Sequence, residues 1–211
     1  MEQEGVDTIS YELGARAELD ETGDLVRQLG RRAFTAVADT RDLDQVEAVV
    51  AEATEQFGGI DIVCANAGIA SWATSWEMTA LRWKEMVDIN LTGVFNTVRA
   101  ALPGMISRGR GGSIVLTSST AGINGYQNTA HYTAAKYGVI GLTKVMAQEV
   151  GQYSIRVNAV CPTTVNTPLV INDGTFRLFA PNVENPGATS SVSDGRVGGG
   201  GPGIHLYISM N

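Results

Sequence analysis

The alternation of short apolar runs with amphipathic helical runs is the feature that most constrains the fold of this chain. Five β-like runs occupy residues 6–12, 32–38, 60–65, 112–118 and 155–162. Helical periodicity covers residues 18–30, 42–58, 79–106 and 130–152, with breaks predicted at Asn90–Gly93 and at Pro103. Apolar strands that alternate with helices are typical of a parallel sheet covered by helices on both faces. The predicted fold class is therefore α/β, with a doubly wound parallel sheet.

Composition excludes several classes of protein. Hydrophobic residues make up 44% of the 211 residues, which predicts one globular domain with a sizeable core. The net charge of −7 and the lack of a long basic run argue against nucleic acid as a partner, because phosphate binding relies on clustered Lys and Arg. No apolar stretch is long enough to span a bilayer, so no membrane association is expected.

The first residues and the cysteines indicate a cytoplasmic protein. The opening "MEQEGVDTIS" is acidic and lacks the apolar segment of a signal peptide. Cys64 and Cys161 lie in apolar strand-like runs without a CxxC motif, and we expect both to be buried, reduced thiols. His131 and His205 are too few for a zinc cluster, so no metal site is predicted.

Residues 187–211 differ in composition from the rest of the chain. They are rich in Gly and Ser and have no helical period, so we predict a folded domain over residues 1–186 followed by a disordered tail. A GxGxxG pattern occurs in this tail at Gly198, Gly200 and Gly203. A dinucleotide-binding turn needs a strand before it and a helix after it, and neither is predicted there. The pattern is therefore a compositional accident.

Candidate catalytic residues lie near the ends of the predicted strands, where ligands of doubly wound sheets bind. Tyr132 and Lys136 are spaced i, i+4 and share one face of a predicted helix. An ammonium group lowers the pKa of a neighbouring phenol, which could then exchange a proton with a substrate oxygen. Ser119 follows the run 112–118 and could hydrogen-bond a substrate carbonyl, while Asn90 interrupts a helix. Taken alone, this Tyr–Lys spacing more often reflects a packed tyrosine and a solvated lysine.

Five motifs occur in the order and spacing of a known family. They are "ANAG", "INLTG", "SIVLTSSTAG", "YTAAK" and "RVNAVCPTTVNTP", and the match extends from about Gly5 to Leu169. The chain thereby resembles the short-chain dehydrogenase/reductase (SDR) family, which has a Rossmann-like fold. Pro162-Thr163 stands where that family usually has Pro-Gly, and with "VNTPL" and "FRLFAPNVENP" it is similar to the carveol-dehydrogenase-like branch associated with the mycofactocin redox system. Members of that branch act on secondary alcohols such as terpene alcohols.

The resemblance implies catalytic roles for four residues. Tyr132 corresponds to the general acid/base, and Lys136 to the residue that lowers its pKa and binds the nicotinamide ribose. Ser119 corresponds to the residue that orients the substrate, and Asn90 to the asparagine of a proton relay. The implied activity is hydride transfer between a nicotinamide cofactor and a small secondary alcohol or ketone.

The resemblance also implies a set of cofactor-binding residues. They are Glu12, Asp39, Thr40, Asn66, Ala67, Gly68, Tyr132, Lys136, Pro162, Val165 and Thr167. The "NAG" segment matches the lining of the adenosine ribose, and Asp39 matches a carboxylate that contacts adenine. Thr167 matches a threonine that contacts the cofactor after the sixth strand of the family.

Glu12 decides which cofactor is expected. In this family an acidic residue at the end of the second strand accepts hydrogen bonds from the ribose hydroxyls and repels a 2′-phosphate. Glu12 closes the run 6–12, so NAD is favoured over NADP. The alternatives are a solvated glutamate at Glu12 and a turn-forming aspartate at Asp39.

Two segments of the family pattern are not found in the sequence, namely the first strand with its glycine-rich turn and the last strand. That turn binds the pyrophosphate of the cofactor. We therefore expect an incomplete fold, as in a truncated gene product, and little or no turnover by this chain alone. Two hypotheses remain: an NAD-dependent oxidoreductase, and a non-catalytic remnant that keeps the scaffold but binds no dinucleotide.

Self-association is expected from two helical runs. The runs over residues 79–106 and 130–152 carry apolar residues on more than one side, which is typical of buried helices. We therefore expect a homo-oligomer, a dimer or a tetramer, formed through these helices.

Overall fold

The computed structural model describes residues 8–179 of the chain. In this range the elements are α1 (Arg16–Gln28), α2 (Leu43–Phe57), β1 (Ile62–Ala65), α3 (Ala80–Val87), α4 (Gly93–Arg108), β2 (Gly112–Thr117), α5 (Ala130–Val150), β3 (Ile155–Val160) and α6 (Asp173–Phe179). A π-helical turn, Asp88–Thr92, joins α3 to α4, and 3₁₀ turns cover Thr120–Gly122 and Gly151–Tyr153. The tail predicted over residues 187–211 lies outside the described residues.

The three strands form one parallel sheet in the order β1-β2-β3. The register places Val63 of β1 opposite Ile114 of β2, and Ile114 opposite Val157 of β3. Each pair of neighbouring strands is connected by a helical crossover, as parallel pairing requires. The parallel sheet predicted from the apolar runs is confirmed for these three strands.

The hydrophobic core lies between the sheet and helices α4 and α5. Its buried members are Val63, Ala65, Val94, Val98, Ala101, Met105, Ile114, Leu116, Val139, Met146, Val150, Ile155 and Val157. The strand residues of this core are two apart, because successive side chains in a strand point to opposite faces of the sheet. Both crossover helices therefore cover the same face.

The opposite face of β1 is open to solvent in the described structure. Ile62 is 67% exposed, and Cys64 is also exposed. The expectation that Cys64 is buried is therefore wrong, whereas Cys161 is buried as predicted. Helical cover on both faces, predicted from the apolar runs, is not seen at this strand.

Two predicted strands are not strands in the structure. Residues 8–12 and 32–38 have irregular backbone. A β-strand exists only where its backbone groups pair with a neighbour, and neither segment has a paired neighbour among residues 8–179. Local composition favours the extended conformation in both segments, but it does not supply the partner.

The helix ends follow the sequence at most positions. Asp42 caps α2, because its carboxylate accepts hydrogen bonds from the backbone N–H groups of Asp44 and Gln45. Gly58 ends that helix in the left-handed conformation, with φ of 82°. The break predicted at Pro103 is wrong, since α4 continues to Arg108. Pro103 lies on the exposed side of α4, where water can bond the carbonyl left without a donor.

None of the helices within residues 8–179 combines the length and the apolar character needed to cross a membrane.

Candidate active site

The candidate site is built where the carboxyl ends of the parallel strands meet. Ser118 and Ser119 follow β2, and Pro162 lies just beyond β3. The backbone N–H of Thr120 donates to the carbonyl of Pro162 over 3.0 Å and so joins the two loops. Ser119 begins the 3₁₀ turn, where its hydroxyl oxygen accepts from the N–H of Ala121 over 3.1 Å.

Lys136 lies at the bottom of this site. The residue is 3% exposed, and its Nζ donates to the carbonyl of Thr117 over 2.8 Å. Burial lowers the pKa of Lys136 to about 8, so the side chain still carries its charge at neutral pH. An ammonium group has three N–H donors, and one of them is used by Thr117. The remaining donors are available to a ligand.

Tyr132 lies one helical turn before Lys136, as the spacing predicted. The lysine Nζ lies 5.6 Å from the centre of the tyrosine ring. Burial raises the pKa of Tyr132, and interaction with the Ser119 hydroxyl acts in the opposite direction. The pKa shift expected for Tyr132 therefore has the wrong sign. Burial of the phenol is the larger cause of this shift, and the ammonium group is instead bonded to a backbone carbonyl.

Asn90 lies in the π-helical turn and is fully buried. Its Oδ1 accepts from the N–H of Ile69, and its Nδ2 donates to the carbonyl of Ile69, each over 2.8 Å. A Cβ atom at Gly68 would lie 2.7 Å from Asn90 Oδ1 and 3.6 Å from Lys136 Nζ. Asn90 therefore lies behind Lys136, across Gly68, and fixes the loop that follows β1. Turns of this kind occur often at functional sites.

The predicted adenosine-binding residues lie around the same edge of the sheet. Asn66 and Ala67 are exposed at the end of β1, and Asn66 Oδ1 accepts from the Thr117 hydroxyl over 2.8 Å. Asp39 forms an ion pair with Arg41, which holds the pKa of the carboxyl below its usual value. The carbonyl of Thr40 accepts from Asn96 Nδ2 over 2.9 Å, which joins this loop to α4.

The loop after β3 places Val165 and Thr167 at the surface. Both residues are exposed, and the Thr167 hydroxyl donates to the Val165 carbonyl over 3.4 Å. Neither side chain has a described contact with Tyr132 or Lys136. Val165 and Thr167 are therefore accessible on the same side of the sheet, but they lie apart from Tyr132 and Lys136.

Glu12 does not close a strand as expected, because the chain forms no strand there. Its role as a ribose ligand stays a prediction. Glu12 is exposed in an irregular segment that leads into α1. The neighbouring Tyr11 hydroxyl instead accepts from the N–H of Ala70 over 2.9 Å, beside the candidate site.

Three further side chains belong to this site and were not predicted from the sequence. His131 is fully buried, and its Nε2 lies 2.9 Å from the Ser71 hydroxyl. Burial lowers the pKa of His131 to about 4, and the nearby positive charge of Arg82 contributes, so the ring is neutral. The Trp72 ring lies 6.4 Å from the Tyr132 ring between centres. The only available clue was adjacency in sequence, of His131 to Tyr132 and of Ser71 and Trp72 to "NAG".

Within residues 8–179, no group of three or more His, Cys, Asp or Glu side chains is arranged to hold a metal ion. The parallel sheet, with the Tyr–Lys pair at its carboxyl edge, defines a Rossmann-like α/β chain. The family described as "short chain dehydrogenase" matches residues 2–177 of the sequence. The chain belongs to this family, as its motifs predicted.

Individual relatives support the branch within the family. The chain is 49% identical over 179 residues to (-)-trans-carveol dehydrogenase of Rhodococcus erythropolis, a match covering 84% of this chain and 65% of the relative. It is 52% identical over 171 residues to a short-chain type dehydrogenase/reductase of Mycolicibacterium smegmatis, covering 81% of this chain and 61% of that protein. The chain thus spans less than two thirds of the length of these relatives.

A solved structure has the same fold. The crystal structure of carveol dehydrogenase from Mycobacterium avium in complex with NAD superposes with a TM-score of 0.85 at 49% identity. The match covers 87% of this chain and 67% of that one. The Rossmann-like fold predicted from the sequence is thereby confirmed.

Proposed function

We propose that the protein is an NAD-dependent oxidoreductase that interconverts a small secondary alcohol and its ketone. The observation that carries this proposal is the convergence of Tyr132, Ser119 and Lys136 at one edge of the sheet, with Asn90 behind the lysine. A phenol, a hydroxyl and a buried ammonium group form a set suited to exchanging a proton with a carbonyl oxygen. The relationship to carveol dehydrogenases supports the substrate class.

The residues of this chain divide the work at the substrate oxygen. Ser119 donates a hydrogen bond to that oxygen and fixes its position. Tyr132 takes the hydroxyl proton during oxidation and returns it during reduction. The nicotinamide ring, when bound, supplies the acceptor or donor of the hydride. Asn90 is a positioning residue, because its amide holds Ile69 next to the lysine; the relay role implied by the family stays a prediction.

The donor set on this chain suits the nicotinamide half of the cofactor. Lys136 offers N–H donors to the ribose hydroxyls. Asn66 and Ala67 are exposed at the edge where nucleotides bind in such sheets, and they are accessible to the adenosine side. Asp39 and the loop from Pro162 to Thr167 are proposed to complete the site. NAD is preferred over NADP on the strength of the NAD-bound relative, since Glu12 no longer supports the choice.

The substrate is proposed to be apolar apart from its oxygen. Trp72 faces the Tyr132 ring, and Ile9 and Ile69 pack in the same cluster. An aromatic and aliphatic lining of this kind suits an alicyclic alcohol, and terpene alcohols belong to that class.

The free thiols Cys64 and Cys161 support a cytoplasmic location.

Titration with NADH and a turnover assay test this function together. NADH fluorescence is expected to report saturable binding, and Tyr132→Phe is expected to lower turnover of secondary alcohols by about 10²–10⁴-fold while NADH still binds. Tyr137→Phe is the matched control, because Tyr137 lies on the same helix and is 46% exposed. A folded chain that binds no NADH would refute the proposal and favour the non-catalytic scaffold. Binding of NADH without turnover of any secondary alcohol would contradict the proposed activity for this chain alone.

We also propose self-association through α4 and α5. These helices form an open apolar groove lined by Leu91, Thr92, Phe95, Gly138, Gly141, Leu142 and Val145. Phe95 is 40% exposed and Val145 is 54% exposed, which is unusual for large apolar side chains placed next to each other. A second copy presenting the same groove would cover both.

Light scattering of Val145→Asp tests the assembly. The substitution places a charge in the groove and is expected to shift a dimer or tetramer to the monomer. Leu29→Asp serves as the control, because Leu29 is 80% exposed at the end of α1. A wild-type chain that is folded and monomeric at high concentration would contradict the proposal.

A further inference from the structure

The segment Thr8–Tyr11 lies against the candidate site instead of joining the sheet. At its start, the Thr8 hydroxyl donates to Glu85 Oε2 over 2.6 Å, and Glu85 is a buried carboxylate of α3. At its end, the Tyr11 oxygen accepts from the N–H of Ala70 over 2.9 Å. The segment is therefore held at both ends by polar contacts with elements of the site.

The middle of this segment contacts the site on two further sides. Ile9 packs against a cluster formed by Ile69, Met86 and Ile89, and Tyr132 packs against the same cluster. A side chain at Gly174 would come within 2.8 Å of the Ser10 hydroxyl oxygen, so Ser10 lies close to α6. Together these contacts place the segment between α3 and α6, next to the tyrosine that is proposed to exchange the proton.

Tyr11 is the largest side chain that this segment contributes. It is partly buried, while Ala70, to which it bonds, is only 3% exposed. Burial raises the pKa of Tyr11, while the hydrogen bond from Ala70 acts in the opposite direction, so Tyr11 keeps its proton. Tyr11 uses its oxygen as an acceptor for Ala70, and no acceptor for its own proton is found among residues 8–179.

We propose that Tyr11 is a specificity-determining residue, whose ring closes the side of the cleft beside Tyr132 and limits the size of the alcohol that can bind. This inference rests on the proposed function and deepens it. Trp72 packs against the Tyr132 ring, and Tyr11 bonds the backbone of Ala70 on the same loop. An apolar skeleton attached to the reacting carbon would have to fit beside them. A smaller side chain at position 11 would admit a bulkier skeleton.

A merely structural role would have a different basis. In that case Tyr11 would matter only through its hydrogen bond to Ala70, which stabilises the loop after β1. Tyr11→Phe removes this bond but keeps the ring, whereas Tyr11→Ala removes both. The two substitutions therefore separate the effect of the ring, which closes the side of the cleft, from the effect of the hydrogen bond.

The test compares binding of cyclohexanol and menthol, which carries two additional alkyl groups, by ligand-observed NMR. The ratio of the two dissociation constants is independent of the folded fraction of each variant. Tyr11→Ala is expected to shift this ratio about 10-fold in favour of menthol, while Tyr11→Phe leaves it within about 3-fold. Tyr153→Ala is the control, because Tyr153 is exposed before β3, at the opposite end of the sheet. It is expected to leave the ratio unchanged.

Two results would overturn the inference. In one, Tyr11→Phe and Tyr11→Ala weaken the binding of both alcohols equally, which would show that Tyr11 acts only by stabilising the loop after β1. In the other, the wild-type chain binds neither alcohol up to the limit of solubility. A chain that binds the alcohols, with a ratio that Tyr11→Ala shifts, but does not bind NADH would be a different result. In that case the proposed function fails while the inference about Tyr11 stands.

Discussion

The region from β1 to β3 and the region before β1 are stabilised in different ways. Helix α5 buries seven residues, among them Lys136 and Val139, against the sheet and the site. Helices α1 and α2 bury one residue each, Gly23 and Val46. The region before β1 contacts the rest through polar bonds, such as those made by Tyr11 and Thr40, and through partly buried side chains, such as Val50 of α2, that pack against the core. The first region is a packed core, and the second is attached to it by fewer buried side chains.

This difference shows what a Rossmann-like chain needs for its chemistry. All four proposed catalytic residues belong to the packed region or to turns fixed by it. The region before β1 contributes residues that border the site, namely Tyr11 and the Asp39–Thr40 loop. The proposed catalytic geometry thus depends on the core, while the proposed wall at Tyr11 and a part of the proposed cofactor contacts depend on the attached region.

The largest effect is expected from a core truncation. Leu116 is fully buried in β2, and Leu116→Ala is expected to lower the free energy of unfolding by about 2–5 kcal/mol. Leu29→Ala is its counterpart before β1, and we expect a change within about 0.5 kcal/mol because that side chain is 80% exposed. Urea unfolding of both variants measures the contrast. Equal losses would show that the two regions are one cooperative core.

Removal of the buried charge of Lys136 should make the packed region more stable. Lys136→Met is expected to raise the free energy of unfolding at pH 7 by up to about 3 kcal/mol, because burial lowers the pKa of this lysine to about 8 from an unfolded-state value of about 10.4. Lys144→Met, at an exposed position of the same helix, is expected to have no effect.

The difference in the free energy of unfolding between Lys136→Met and the wild type should depend on pH. Below pH 8 both the folded and the unfolded chain hold the lysine proton, and the full cost of burying the charge is present. Between pH 8 and about 10.4 only the unfolded chain holds it, so the wild type gains stability as the pH rises. The advantage of Lys136→Met over the wild type should therefore shrink across this range. An advantage that stays constant to pH 10.5 would contradict the assigned pKa.

The smallest effect concerns the cap of α2. Asp42→Ala is expected to cost about 1 kcal/mol, since the carboxylate bonds two backbone N–H groups at the start of that helix. If the region before β1 is only loosely coupled, amide hydrogen exchange should become about five-fold faster in α2 and stay unchanged in α5. Acceleration in both helices would indicate tighter coupling than the burial suggests.

The sequence was sufficient for the features that depend on local pattern. The apolar runs located β1, β2 and β3, Asp42 and Gly58 marked the ends of α2, and parallel strands brought Ser119 and Tyr132 to one edge. These predictions work because periodicity, capping and the direction of parallel strands are fixed by short stretches of chain.

The features that were missed depend on distant partners. The run 32–38 has the composition of a strand, but pairing is a property of two segments, and Val37 is 49% exposed. The contact between Tyr11 and Ala70 joins residues 59 positions apart, and no local pattern announces it. The sign of the Tyr132 pKa shift followed from the depth of burial, which the i, i+4 spacing to Lys136 does not encode.

The π-helical turn Asp88–Thr92 makes the position of Asn90 sensitive to the loss of a single codon. Such a turn arises when one extra residue is accommodated within an α-helix. Deleting one residue here would let α3 and α4 join as a regular helix and would leave the two helices in phase, because the wide turn is what absorbs the extra residue. Asn90, which lies in the wide turn, would lose the geometry in which it meets Ile69, while Phe95 would keep its place in the groove beside α5. One in-frame deletion would therefore disturb the site and leave the self-association surface in place.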